Sequence, residues 1–404
     1  MTAPDRSARA LVVGALLAAV VAVVAVTASG CTDSGGAGVR AERSTLPTEV
    51  LGPFLPVVTA DGLSVLGANA VVQCDPGADA GDECRVVGSA VVPGPVGGRV
   101  DLLAATDTDG TGIATLAVGE VGDGGERADG VLLVTCTAET CRDDTAPAAV
   151  VAGADPVPDA RLSAIAAGDA GYALVIGREP DVELVLCAHA TCADPQAVPL
   201  GAATVHDIVR AQFAPDGTVW IARSDVAGSE LRVTSLAPGA ATPSSTLALD
   251  LPDAEGGAWP NPYLNQVLRL AVRDDGSPVV LYRDPSDDAL VLVSCDDASC
   301  AAPTTNRLDV DPAQAEAADL AVDRTGRPLV ATSGAGSLRL HGCTDVACTG
   351  LESRSVSSGT PLTGPDGPFL LLDGDRPVVL VTEKVSDGPD RAVVLRCEEA
   401  RCGL

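Results

Sequence analysis

Over most of the chain, apolar residues come in short Val-, Leu- and Ala-rich runs broken by Gly, Asp, Pro and Ser. Two stretches show the pattern well: residues 268–300, LRLAVRDDGSPVVLYRDPSDDALVLVSCDDASC, and residues 318–348, ADLAVDRTGRPLVATSGAGSLRLHGCTDVAC. In each, an apolar run meets an Asp-Gly or Asp-x-x-Gly turn, and a second Val/Leu run leads to a polar loop. A third run alternates apolar and polar residues up to a cysteine, and a looser fourth follows. Short β-branched runs bounded by turn residues read as strands, and Asp-Gly between two of them is a hairpin signal. No stretch of useful length has the helical period. The pattern predicts an all-β fold with four strands in each repeat.

The cysteines fix the repeat. Cys136 and Cys141, Cys187 and Cys192, Cys295 and Cys300, Cys343 and Cys348, and Cys397 and Cys402 form C-x4-C pairs, and Cys74 and Cys84 a looser one. Their spacing leaves one gap, filled by ELRVTSLAPGAA, where Ser235 and Ala240 stand in the two cysteine positions. Counting from Cys74 to Cys397 then gives seven units of about 50 residues. Four strands per unit, repeated, is the signature of a β-propeller; a β-sandwich array needs roughly twice that length. The repeats resemble those of secreted bacterial propellers of the form G-x-P-V-V followed by L-x-V-x-x-C-x4-C. The likeness covers residues 160–402, and 100–141 in part. It implies a single seven-bladed β-propeller over residues 46–404. Residues 62–74 are short for two full strands. After Cys402 no fourth strand follows in the last unit, so residues 44–54, STLPTEVLGPF, are expected to supply one and close the ring.

Residues 1–9 are polar and carry Arg6 and Arg9, residues 10–26 are almost wholly Ala, Leu and Val, and Ala28-Ser29-Gly30 precede Cys31. A positive region, an apolar stretch and small residues before a cleavage point make an export signal. The last four positions resemble a bacterial lipobox, with Ala28 where Leu is usual. This implies cleavage after residue 30, lipidation of Cys31 and a flexible tether over residues 31–45. A transmembrane anchor is the competing reading, since the apolar stretch reaches the lower limit for a span. The expected location is the extracytoplasmic face of the cell membrane, held by the lipid anchor. An exported chain with twelve further cysteines in close pairs implies disulfides within each pair. Zinc would need two neighbouring pairs or a pair with His, and these pairs lie on separate repeats.

The formal net charge of −29 sets the chain against phosphate backbones, so nucleic acid is not an expected partner. Lys384 is the only lysine, and aromatics make up only 2% of residues, so the core must be Val, Leu and Ala. The many arginines read as solvated strand faces. His189, His206 and His341 share no neighbourhood with a nucleophile and read as ordinary hydrogen-bonded histidines. No S-x-D-x-G-x-T-W box of sialidase-like blades occurs, and two tryptophans cannot supply quinoprotein docking motifs. Asp107 and Asp109 in TDTDGTG resemble a calcium loop, but Ala105 and Ile113 stand where ligands belong, and an ordinary Asp-Gly turn is the favoured reading. No catalytic residue, metal or cofactor is expected.

In a propeller, the loops between second and third strands share a face with the connections between blades, opposite the cysteine turns. That face carries the acidic loops GEVGDGGERADG, RDPSDDA and EKVSDGPDR and the long connection of residues 250–266. The connection holds Trp259 and Tyr263, the candidate ligand-binding residues, with residues 284–288 as the fallback site; rigid-scaffold loops are where function concentrates. The expected function is a monomeric, lipid-tethered binding or interaction module for an envelope protein or glycan. The alternative is a propeller hydrolase or lyase acting on extracellular carbohydrate.

Overall fold

The computed structural model describes residues 41–47, 55–59, 62–67, 70–74, 84–89, 96–106, 112–121, 128–137, 148–150, 164–178, 180–189, 191–202, 208–225, 230–250, 267–356, 367–383 and 391–404. Within these residues the protein is all-β and propeller-like. Seven four-stranded antiparallel sheets follow one another along the chain, and two short 3-10 turns, Pro312–Gln314 and Ala400–Gly403, are the helical elements among the described residues. In chain order, the strands of the sheets fall within residues 55–89, 96–150, 164–202, 208–250, 268–307, 317–355 and, last, 369–397 together with 41–45.

The first strands of these sheets are β2 (Leu55–Thr59), β6 (Val96–Thr106), β10 (Ala164–Gly168), β14 (Ile208–Phe213), β18 (Leu268–Val272), β22 (Ala317–Val322) and β26 (Phe369–Asp373). Each packs beside the first strand of the next sheet, and β26 packs beside β2, so these strands form a closed ring of neighbours. The first sheet is complete: β3 (Gly62–Leu66) and β4 (Ala70–Cys74) fit the short interval as two five-residue strands. Gly67 N–H bonds to the Ala70 carbonyl across their tight connection.

The closing strand is not where the sequence placed it. It is β1 (Ala41–Thr45), paired along its whole length with β28 (Arg391–Cys397), from Ala41 opposite Cys397 to Thr45 opposite Val393. Both the proposed closing segment, 44–54, and the end of the tether at residue 45 are therefore corrected, because ordered pairing starts four residues before Thr45. Hydropathy missed it. AERST buries little and shows no apolar alternation; its hold comes from the backbone ladder, from Leu46, only 4% exposed, and from the Arg43–Glu383 ion pair.

The core lies between neighbouring sheets, in clusters of Val, Leu, Ile and Ala from facing strands. Trp220, Ala222 and Leu231 meet Val280, Val291 and Val293, while Val279, Leu281 and Leu292 face Ala318, Leu320 and Val330. With both faces covered, a second and a third strand can be buried along their whole length: every residue of β19 (Pro278–Arg283) and β20 (Leu290–Cys295) is buried. Trp220, fully buried, ties two sheets together through its indole N–H, which donates to the Gly276 carbonyl at 3.0 Å.

Candidate functional site

Cysteine pairs 74–84, 187–192, 295–300, 343–348 and 397–402 are disulfides, the last four linking the end of a third strand to the turn beyond it. These turns share a side with the turns between first and second strands, since a Cβ on Gly276 would sit 3.7 Å from Ala298 and one on Gly326 3.4 Å from Val346. Cys31, the 136–141 pairing, Asp107, Asp109, His206, Trp259 and Tyr263 lie outside the described residues or side chains.

The fallback acidic loop is described, and it is self-contained. Asp284 is 5% exposed and accepts from the backbone N–H and hydroxyl of Ser286, at 2.9 and 2.6 Å, while Arg307 approaches its other oxygen. Asp287 pairs with Arg307, and Arg283 donates to the carbonyls of Asp288 and Ala315. These carboxylates hold a turn. His341 is likewise structural: its ring nitrogens lie 2.9 Å from the Thr332 hydroxyl and 2.7 Å from that of Ser353, and burial pushes its pKa down to about 4.

The expectation that arginines coat solvated faces is also corrected. Arg223, Arg273, Arg283 and Arg401 are buried. Arg273 donates to the carbonyls of Cys295, Gly326 and Val346, capping chain ends in its own sheet and the next. A cleft of about 220 Å³ lies beside it, bounded by Asp274, Asp275, Asp296, Arg324 and Thr325. Its main cation is thus already consumed by the backbone.

Among the described residues, one charged group remains that packing does not account for. Arg210 on β14, Arg269 on β18 and Asp319 on β22 sit at the same register of three consecutive first strands, opposite Ala222, Leu281 and Ala331 of the second strands. All three lie near the beginning of their strands, on the side of the sheet-to-sheet connections and away from the disulfide turns. Arg269 Nε donates to Asp319 Oδ1 at 2.8 Å, and the other oxygen of Asp319 accepts the Leu370 N–H of β26 at 2.6 Å. Both arginines are braced in the same way: Arg210 donates to the Val209 carbonyl at 2.7 Å and Arg269 to the Leu268 carbonyl at 2.9 Å.

Electrostatically the group is unbalanced. Two guanidinium charges face one carboxylate, and no carboxylate hydrogen-bonds to Arg210 among the described residues. Burial first, then the like charge of Arg269, push Arg210 down to about 9 against the attraction of Asp319. It still carries its proton at neutral pH. Burial raises the pKa of Asp319, opposed by Arg269 and by the amide of Leu370. Protein surrounds the cluster, yet Arg269 and Asp319 keep side-chain exposures of 19% and 15%, and Arg210 is partly exposed as well. Their unused N–H groups are absent from the buried unpaired atoms, so solvent reaches them. Sequence reasoning missed these residues by reading arginines one at a time. Stacking IVRAQF, LRLAV and ADLAV as repeats puts Arg210, Arg269 and Asp319 in one column.

No family model and no curated protein matches the chain. Among solved structures it is similar to prolyl oligopeptidase B from Galerina marginata bound to a 25mer macrocyclization substrate, with a TM-score of 0.50, 9% identity, and coverage of 85% of this chain and 47% of that one. It is also similar to a protein of unknown function from Dyadobacter fermentans (TM-score 0.43, 11% identity, covering 74% of this chain and 93% of that one). The polysaccharide lyase Uly1 is matched with a TM-score of 0.43 and 10% identity, over 74% of this chain and 77% of that one. The chain spans about half the length of the oligopeptidase it matches. At such identities the likeness is one of fold, propeller-like and built from repeated four-stranded sheets.

Proposed function

We propose that the chain is a membrane-tethered, extracytoplasmic binding module: a seven-bladed β-propeller held by a lipid on Cys31, with an envelope protein or glycan as ligand. Seven four-stranded sheets, neighbour contacts around the ring of first strands and completion of the last sheet by β1 support the propeller reading. One observation carries the binding function. Charged groups on inner strands are costly unless compensated, and Arg210, Arg269 and Asp319 stand in register at a place that Ala or Val would fill at no cost. In sequence, the long connection bearing Trp259 and Tyr263 ends at Gln266, three residues before Arg269, so it leads to the strand end that carries Arg269.

A hydrolase or lyase acting on extracellular carbohydrate is the second reading. Asp319, with its raised pKa beside a cation, is the carboxylate that would serve it.

The test compares the full chain with Cys31→Ser and with Trp259→Ala/Tyr263→Ala. Membrane fractionation should lose the Cys31→Ser protein or leave its signal uncleaved. The aromatic double variant should melt like wild type but lose retention on an envelope glycan or protein fraction that wild type binds. Wild-type fractionation of Cys31→Ser removes the anchor, and unchanged retention by the double variant removes those two residues from the site. Product release from a glycan by wild type, lost in Asp319→Asn, would favour the enzyme.

A further inference from the structure

We propose that Arg210 and Arg269 form a seat for a single carboxylate group, with Asp319 fixing Arg269 and setting the charge of the seat; this rests on the binding reading above and names the chemistry it would recognise. The two guanidinium groups stand on adjacent first strands at matched register, each held from behind by the carbonyl of the residue before it. That bracing leaves the remaining N–H donors of Arg210, and the second terminal nitrogen of Arg269, without a partner among the described residues and open to solvent. Planar N–H forks braced in this way suit a planar oxyanion, which they meet with paired hydrogen bonds.

The charge count selects the ligand class. Two cations against Asp319 leave a surplus of one positive charge, which a monovalent carboxylate neutralises and a divalent phosphate overshoots. Asp319 is not available to a metal ion, since one oxygen holds Arg269 and the other the Leu370 amide. A net charge of −29 repels anions at long range, but at physiological salt that field decays within about 8 Å, whereas the seat acts by contact. A polyanion must carry its whole charge through that field. A small ligand with one carboxylate, or a mostly neutral polymer with an occasional one, need not. The carboxylate could belong to a sugar acid or to an acidic amino acid, and the experiment separates them.

Isothermal titration of the full chain in detergent, at constant ionic strength, would use galacturonate, glutamate and the neutral methyl galactoside. Saturable binding of at least one carboxylate and none of the neutral sugar is expected, and the carboxylate that binds more tightly identifies the source. Arg210→Gln should weaken that binding about tenfold to a hundredfold, the loss of one or two charge-assisted hydrogen bonds. Arg210→Lys, which keeps the charge and loses the fork, should fall between and covers the case in which Arg210→Gln does not fold. Asp319→Asn should tighten binding by freeing Arg269 and adding to the surplus charge. A purely structural cluster would instead lose stability in every variant, with no such opposite movement of affinity. Failure of both carboxylates to bind, or equal affinity of wild type and Arg210→Gln, overturns the seat. If the Trp259→Ala/Tyr263→Ala variant still loses its envelope ligand, the binding module survives that failure.

Discussion

Arg273 and Asp323 occupy the same position in consecutive sheets and carry opposite charges, and the structure shows what each requires. Arg273 turns inward to the carbonyl of Cys295, the first cysteine of its own sheet, at 2.7 Å. Asp323 cannot do that for its own sheet, and the corresponding carbonyl, Cys343, is met at 2.8 Å by Arg401 from the last sheet. Arg401 also pairs with Asp323, with side-chain exposures of 5% and 2%. Burial works against the Asp323 charge, but Thr325, the Arg327 amide and Arg401 outweigh it and lower its pKa. Buried charge in this fold is thus handed from sheet to sheet. Among the described residues, His341 is a buried group that answers acid between pH 4 and 6.5. Its folded pKa of about 4 lies below the ordinary value near 6.5, so within that window the unfolded chain binds a proton that the folded chain refuses. Stability is therefore intact above about pH 6.5 and falls toward pH 4, by roughly 3 kcal/mol in all. Asp319, with its pKa raised, runs the other way, so the comparison must be wild type against His341→Gln. Denaturant titrations should show the two stabilities converging as pH drops from 6.5 to 4, and parallel curves would show that His341 is not the group responsible.

At the scale of elements, the turn beyond each third strand was largely legible. The cysteine spacing marks the strand end: Cys187 and Cys295 are the last residues of their third strands, and Ser235 lies one residue before the end of β16 (Glu230–Leu236), close to where the gap in the series requires it. Backbone handedness was not legible. Cys192, Cys300, Cys348 and Cys402, the second cysteines of the turns, have φ between 44° and 60°, a left-handed conformation usually left to Gly or Asn. In the turn without a disulfide, the positive φ of 72° moves to Gly239, one residue ahead of the cysteine position. The disulfide thus holds a cysteine where an L-residue is strained, a feature composition cannot announce. This gives a prediction for the Cys343–Cys348 pair, whose second member has φ of 60°. Loss of so short a closure should cost about 2 kcal/mol by loop entropy. With Cys343→Ser common to both, Cys348→Gly should be more stable than Cys348→Ser by about 1 kcal/mol, because only glycine takes that φ freely. Equal stabilities in chemical denaturation would mean that the turn relaxes once the bond is gone. The inner-strand column is the counterpart at the candidate site. Its charges are plain in the sequence, but their shared register depends on aligning first strands, which are short and only partly apolar, as β18 shows with LRLAV.

At the scale of the whole molecule, the last sheet is completed by the first strand of the described chain, and stability should depend on it. The last sheet has three strands from consecutive sequence, β26, β27 (Arg376–Glu383) and β28; β1 supplies the fourth. Without β1, the outer edge of β28 would present unpaired N–H and C=O groups, the condition that invites edge-to-edge association. Leu46, whose N–H bonds to the Ala392 carbonyl, and Arg43, paired with Glu383, would go with it. What remains would still hold the inner seam, because β28 also reaches the first sheet through Arg396, which donates to the Cys74 carbonyl at 2.8 Å. The loss is therefore of an edge strand and not of the neighbour contacts around the ring. Removing residues through Arg40 should leave melting within a degree or two of the full chain, since every β1 contact is kept. Removing residues through Leu46 should lower it by about 10 °C, at roughly 2 °C or more for each kcal/mol lost in a chain of this size. The shorter chain should also self-associate at concentrations where the longer one does not, visible in sedimentation. Equal melting of the two truncations would mean that β1 merely rests on β28. A drop already present after removal through Arg40 would place the closing contacts farther toward the N-terminus than Ala41.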